Sequence, residues 1–280
     1  MGELIVRSEQ RCHGGTMGFY SHASVSTGTE MRFAVYVPPH ADGARLPVLY
    51  YLAGLTCTEE TFMIKAGAQQ HAAAAGLILV ASDTSPRGIE LPGDREHWDF
   101  GVGAGFYVDA RESPWASHYR MYSYVVDELP AIVEARFPTN GRRGVFGHSM
   151  GGHGALVVAL RNPTRYHSVS AFAPISNPMV VPWGEKAFSR YLGSDRARWE
   201  AYDASLLLRR APRGREILVD QGLDDQFLER ELHPEELEAA AGTAGHRLTL
   251  RRHAGYDHSY WFIQTFIADH LAWHAARLRG

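Results

Sequence analysis

The sequence predicts an α/β fold, a mostly parallel central β-sheet with helices on both faces. Three observations predict it. Short β-branched apolar runs are bounded by Gly, Pro or Asp; longer stretches between them carry apolar residues at three- and four-residue spacing; and a single G-x-S-x-G pattern joins one kind to the other. Runs that are apolar on both faces suit strands covered by helices on both sides. Right-handed crossovers connect such strands.

In chain order, strands are expected at Arg32–Val37, Pro47–Leu52, Leu77–Ser82, Gly144–Gly147, Ser168–Phe172, Glu216–Asp220 and Arg247–Arg251. Ser117–Phe137 places Tyr122, Val125, Val126, Leu129, Ile132 and Val133 on one helical stripe. Pro130 interrupts that stripe, removing a backbone donor and clashing one turn back, so a kink or short break is expected around Glu128. Small residues from Gly151 to Leu160 predict another helix, and Asp257–Leu278, with Ile263, Phe266, Ile267 and Leu271 on one face, predicts the helix that closes the fold. Arg87–Ser117 and Pro178–Arg196 are rich in Gly, Pro and aromatic residues and are expected to be loops over a binding face. No repeat, linker-like tract or charge block divides the chain, so residues 1–280 are expected to form one domain.

Composition narrows the function. With 280 residues, 45% of them hydrophobic, the chain can bury a large core, which excludes intrinsic disorder as the whole answer. A formal charge of −3 provides no basic field for phosphate backbones, so nucleic acid is not an expected partner. The longest nearly apolar stretch, Ala72–Ala81, is about half of the ~20 residues that cross a bilayer, and no membrane span is expected. Cys12 and Cys57 are too few for a disulfide framework, and the first residues carry neither a basic region nor a long apolar run; together these predict a cytoplasmic location.

The chemistry centres on Gly147-His148-Ser149-Met150-Gly151. A strand leads in and a small-residue helix leads out, the setting in which a serine is held on a sharp, strained turn above a sheet. Glycines on either side let strand and helix pass closely. Serine is a weak nucleophile until a base takes its proton and an acid orients that base. In such sheets the chain order is serine, acid, histidine. His258, in the loop before the last helix, is the better base, since His253 still borders a strand. Asp220, Asp224 and Asp225 follow one another at the end of the preceding strand, and spacing does not choose among them. The oxyanion hole is expected from the Met150 N–H and, where Gly54 lets the backbone turn, the Leu55 N–H. One such donor is worth about 2.7–4 kcal/mol in the transition state. His148 and His153 flank the turn without a Cys, Asp or Glu ligand set, so packing or supporting hydrogen bonds are expected of them and no metal.

Longer segments carry a resemblance. Gly54-Leu55-Thr56-Cys57-Thr58, Trp98-Asp99-Phe100-Gly101, Gly105-Phe106-Tyr107-Val108-Asp109-Ala110, Met121-Tyr122-Ser123-Tyr124, Gly147 to Ala155, Pro182-Trp183-Gly184-Glu185-Lys186-Ala187-Phe188, Asp220-Gln221-Gly222 with Asp225-Gln226-Phe227-Leu228, and Gly255-Tyr256-Asp257-His258-Ser259-Tyr260 span nearly the whole chain. In these segments the chain resembles the S-formylglutathione hydrolases, also called esterase D, of the α/β-hydrolase superfamily. The resemblance implies Ser149 as nucleophile, His258 as base, Asp225 as orienting acid, and Leu55 and Met150 as oxyanion donors. It implies hydrolysis of S-formylglutathione to glutathione and formate, the thioester step of formaldehyde detoxification, with no cofactor and a homodimeric enzyme. A thiolate with a pKa near ~8.5 leaves with little help from an acid, which suits such a site. Trp183, Lys186 and the loop from Trp98 to Ala110 are expected to contact glutathione, and Cys57 is a candidate modulating thiol beside the oxyanion loop. The rival expectations are a general carboxylesterase on small acyl esters and a binding module that keeps the fold alone.

Overall fold

Among the described residues nine strands form one sheet: β1 (Ile5–Cys12), β2 (Gly15–Ala23), β3 (Glu30–Val37), β4 (Leu46–Leu52), β5 (Ile78–Ser82), β6 (Thr139–His148), β7 (Ser168–Phe172), β8 (Glu216–Gly222) and β9 (Arg247–His253). The computed structural model describes residues 3–279. Strand order is β1-β2-β3-β5-β4-β6-β7-β8-β9. From β5 to β9 every pairing is parallel, whereas β1, β2 and β3 are added antiparallel at one edge. The predicted mostly parallel sheet is therefore present. β5 and β7 are buried at every position, as continuous apolar runs of a doubly covered sheet require.

Eight helices matter for the site and its support: α1 (Glu59–Lys65), α2 (Ala68–Ala75), α3 (Leu129–Arg136), α4 (Met150–Arg161), α5 (Pro182–Tyr191), α6 (Ala204–Arg210), α7 (Pro234–Ala244) and α8 (Tyr260–Leu278). The long α8 packs on α2 and on β6 and β7, while α4 packs on β4, β6, β7 and α6. Ile263, Ile267 and Leu271 of α8 are buried as predicted, and Phe266 is half-buried. The irregularity ahead of Pro130 is also present: Tyr124–Glu128 forms a π turn that runs straight into α3. A residue without an N–H breaks the regular ladder there, and the wider turn absorbs the break.

Two expectations change. The N-terminal hairpin β1–β2 lies outside the strands read from the sequence, because β1 is exposed at nearly every position and shows no apolar alternation. Pro178–Arg196 is largely helix rather than loop: Pro182 occupies the first turn of α5, where its missing N–H costs nothing.

A polar network is sealed between β7, β8 and α8. Ser168 Oγ contacts His274 Nδ1 at 2.7 Å, His274 Nε2 contacts Ser170 Oγ at 2.8 Å, and Ser170 Oγ contacts His270 Nδ1 at 2.8 Å. His270 Nε2 lies 3.3 Å from the Asp220 carboxylate, which also receives two Arg251 hydrogen bonds of 2.6 Å. Asp220 is thereby held at about 2: burial opposes ionisation, but the bonds from His270 and Arg251 outweigh it.

Burial pushes His270, His274, His148 and His153 below the ordinary histidine range, His153 to about 3. In the unfolded chain each would titrate near ~6.5, so below that pH the unfolded state binds more protons than the folded one. Stability is then complete above about pH 6.5 and is lost as pH falls toward the folded values, at up to about 1.4 kcal/mol per pH unit for a ring held as low as His153. Asp220 adds its own loss only below about pH 4. The melting temperature is expected to fall steeply between pH 7 and pH 5, by about 10 °C or more. A melting temperature unchanged over that interval would contradict the neutral, buried state of these rings.

Candidate active site

Between β6 and α4 stands a single residue, Ser149, with φ 57° and ψ −121°. A side-chain-bearing residue in that region is strained by on the order of 1–3 kcal/mol. Bonds on both sides hold it: the Ser149 N–H donates to the Phe172 carbonyl at 3.0 Å, and its carbonyl accepts from the His153 N–H at 3.0 Å. The flanking glycines serve close approach. A methyl group on Gly147 would lie 2.6 Å from the Leu52 carbonyl oxygen, and one on Gly151 would overlap that same carbonyl. Gly151→Ala is expected to destabilise the protein by about 1–3 kcal/mol, lowering Tm by about 3–10 °C in a thermal melt. A melt matching wild type would show that strand and helix do not pass that closely.

His258 sits in the loop between β9 and α8, and Asp225 in the loop after β8. His258 Nδ1 is 2.5 Å from Asp225 Oδ2. The Asp225 carboxylate also accepts the Phe227 N–H at 2.9 Å and the Gln221 side-chain amide at 3.3 Å, so its direction is set by its own loop. A carboxylate on Nδ1 keeps the proton there and leaves Nε2 as the basic nitrogen. Of the three aspartates left open by spacing, the structure brings Asp225 to His258; Asp220 is bound to Arg251, and Asp224 accepts the Gly255 N–H at 3.2 Å.

Ser149 and His258 line one cavity of about 250 Å³, together with Gly54, Leu55, Cys57 and His148 and the aromatic residues Trp98, Trp183, Phe227 and Tyr260. Among the described residues no hydrogen bond joins the Ser149 hydroxyl to His258; before substrate compresses such a site, that bond is often long. Met150 opens α4, so its N–H has no intrahelical partner. The Leu55 N–H takes no backbone partner among the described residues. Its loop is fixed next door, where Thr56 adopts φ 68° and donates its N–H to the Gly103 carbonyl at 2.8 Å, and where Tyr107 OH donates to the Ala53 carbonyl at 2.8 Å.

His148, expected only to pack or to lend a supporting hydrogen bond, is a neighbour of His258. Its ring lies 4.3 Å from that of His258, and burial, with the His258 charge adding to it, pushes it well below the histidine range. A neutral ring there leaves His258 free to take a proton without a second full charge beside it. The signal was its place next to the nucleophile. His153 is instead packed by Phe106 and Phe188. Cys57 does border the cavity, but burial pushes its thiol up, so at neutral pH it is held as the weakly nucleophilic thiol.

The two expected glutathione contacts part company. Trp183 lines the cavity, edge-on to Trp98 at 5.6 Å, with its backbone N–H bound to Glu231 at 2.9 Å. Lys186 does not line it. Its ammonium donates to both oxygens of the nearly buried Asp99, at 2.8 and 2.7 Å, and ties α5 to the Trp98 loop. That pair engages the charge a glutathione carboxylate would need, and it places Lys186 as a tie between α5 and the Trp98 loop, outside the cavity lining.

Known proteins place this architecture. The sequence model of the family described as "Putative esterase" matches residues 24–273. The mouse S-formylglutathione hydrolase is 53% identical over 276 residues, covering 98% of each chain, and that of Paracoccus denitrificans is 52% identical over 272 residues, covering 97% of each. The solved S-formylglutathione hydrolase of Agrobacterium tumefaciens superposes with a TM-score of 0.95 at 50% identity, over 98% of this chain and 99% of that one. A fluorophosphonate-binding serine hydrolase of Staphylococcus aureus, at 17% identity and a TM-score of 0.72 over 93% of this chain and 98% of its own, shares the fold alone. With an α/β-hydrolase sheet, an esterase-family match over most of its length and relatives above half identity end to end, this chain belongs to the S-formylglutathione hydrolase family.

Proposed function

We propose that this chain hydrolyses S-formylglutathione to glutathione and formate through a formyl ester of Ser149. The observation that carries the reading is the 2.5 Å contact between His258 and Asp225 in the cavity that Ser149 enters, within a chain of this family. Ser149 Oγ attacks the formyl carbon while His258 Nε2 takes its proton. The Leu55 and Met150 N–H groups receive the developing oxyanion. Collapse breaks the C–S bond, and the glutathione thiolate leaves with the proton from His258. Water then attacks the formyl ester, giving its proton to His258, and formate departs as Ser149 is reprotonated. Every step uses side chains and backbone of the chain itself. Trp98 and Trp183 add aromatic surface to the lining of the same cavity. The homodimer implied by the family resemblance, and the cytoplasmic location expected from the two cysteines and the first residues, belong to the same reading.

The rival, a general carboxylesterase on small acyl esters, shares the first half of this mechanism. Comparing kcat/KM for S-formylglutathione and a simple acetyl ester in one preparation separates them, because substrate choice is differential transition-state binding. The reading expects the thioester to be preferred by orders of magnitude. Equal or lower kcat/KM on the thioester would favour the carboxylesterase.

A further inference from the structure

We propose that Lys65 is the residue that selects an anionic thiol carrier, by holding a carboxylate of the leaving group at the wall of the catalytic cavity. The inference rests on the thioesterase reading above and names the part of the site that would recognise the tripeptide.

Size comes first. A cavity of about 250 Å³ lies below the usual ~300–1,000 Å³ of small-molecule sites, and a formyl thioester of a tripeptide must extend beyond it. Lys65 and Tyr260 line this cavity and also a second, larger one of about 510 Å³, whose other walls are Ile64, Ser259, Trp261 and Gln264. Lys65 and Tyr260 therefore belong to the lining of both spaces.

Charge then chooses the direction. Apart from the two histidines, Lys65 is the one basic or acidic side chain among the described residues that line the catalytic cavity. Among the described residues it has no carboxylate within 4.0 Å, and its ammonium lies 5.8 Å from the centre of the Tyr260 ring. The other lysine of the chain, Lys186, is already neutralised by Asp99. Glutathione carries two carboxylates, so an unpaired ammonium over an aromatic floor, with exposed Trp261 and Ile64 beyond it, fits its peptide better than the neutral Trp98 side. A rival role for Lys65, complementing the dipole at the end of α1, would act on stability and not on substrate choice.

The test pairs a change in the protein with a change in the substrate. kcat/KM is measured for S-formylglutathione and for its diester, in which both carboxylates are masked, with wild type, Lys65→Met, Lys65→Arg and Lys65→Glu. Wild type is expected to favour the free acid by about 10-fold, mainly through KM. Lys65→Met should bring the two substrates to within about two-fold, Lys65→Arg should keep most of the preference, and Lys65→Glu should reverse it. A preference that survives intact in Lys65→Met overturns the inference and leaves the thioesterase reading standing. A wild-type protein inert toward S-formylglutathione overturns both.

Discussion

Ser149→Ala is expected to lower kcat for S-formylglutathione by about 10⁴–10⁶-fold. The loss is large because attack, proton transfer and the covalent intermediate all pass through one oxygen; what remains comes from the oxyanion donors and the bound geometry. Alanine keeps the Cβ, so it occupies the same strained turn, with φ 57°, and the flanking backbone bonds are unchanged. Stability should therefore stay within about 1 kcal/mol of wild type, which separates loss of chemistry from loss of fold. Adding His258→Ala should cost little more, since residues that act as one unit are strongly non-additive. A Ser149→Ala protein that retains more than about a tenth of wild-type activity would remove the serine from the mechanism.

Asp225→Asn is expected to cost about 10⁴-fold in kcat. An amide in place of the carboxylate both weakens the bond to His258 Nδ1 and permits the tautomer in which Nε2 carries the proton and has no lone pair for Ser149. The side chain of Asp225 is buried and set by the Phe227 N–H and Gln221, so the amide occupies nearly the same place and the geometry survives. Two controls sharpen the result. Asp224→Asn should leave kcat within about two-fold, and Asp220→Asn should act mainly on stability, by breaking its bonds to Arg251 and its contact with His270. An Asp225→Asn enzyme with near wild-type kcat would assign the orienting role elsewhere.

What was legible in the sequence follows from where burial writes itself locally. β4 to β8 sit with helices on both sides and read as apolar runs, and the strain at Ser149 shows as glycines placed around it. The break before α3 was legible because Pro130 imposes it chemically. β1 was not, since its strand state comes from pairing with β2 while its side chains face outward. The hairpin does carry one sign, His13 and Gly14 with φ 45° and 78°, a turn that favours glycine. Three aspartates within six residues present equal spacing arguments, and only loop geometry separates Asp225 from its neighbours. The role of Lys186 was illegible for a different reason: its partner Asp99 is 87 residues away, and nothing near Lys186 announces it. Lys65 gave no sign in the sequence: only the folded chain puts it in the lining of two cavities.

The account stands on Ser149 as the nucleophile. A fluorophosphonate, which reacts with a serine only where a base and an oxyanion hole activate it, tests this directly when its adduct is located by peptide mass spectrometry and counted against residual thioesterase activity. The account predicts one adduct per chain, on Ser149, with S-formylglutathione hydrolysis lost in proportion and labelling strongly slowed in Asp225→Asn. An adduct on another residue, or a fully labelled Ser149 with hydrolysis intact, would contradict it.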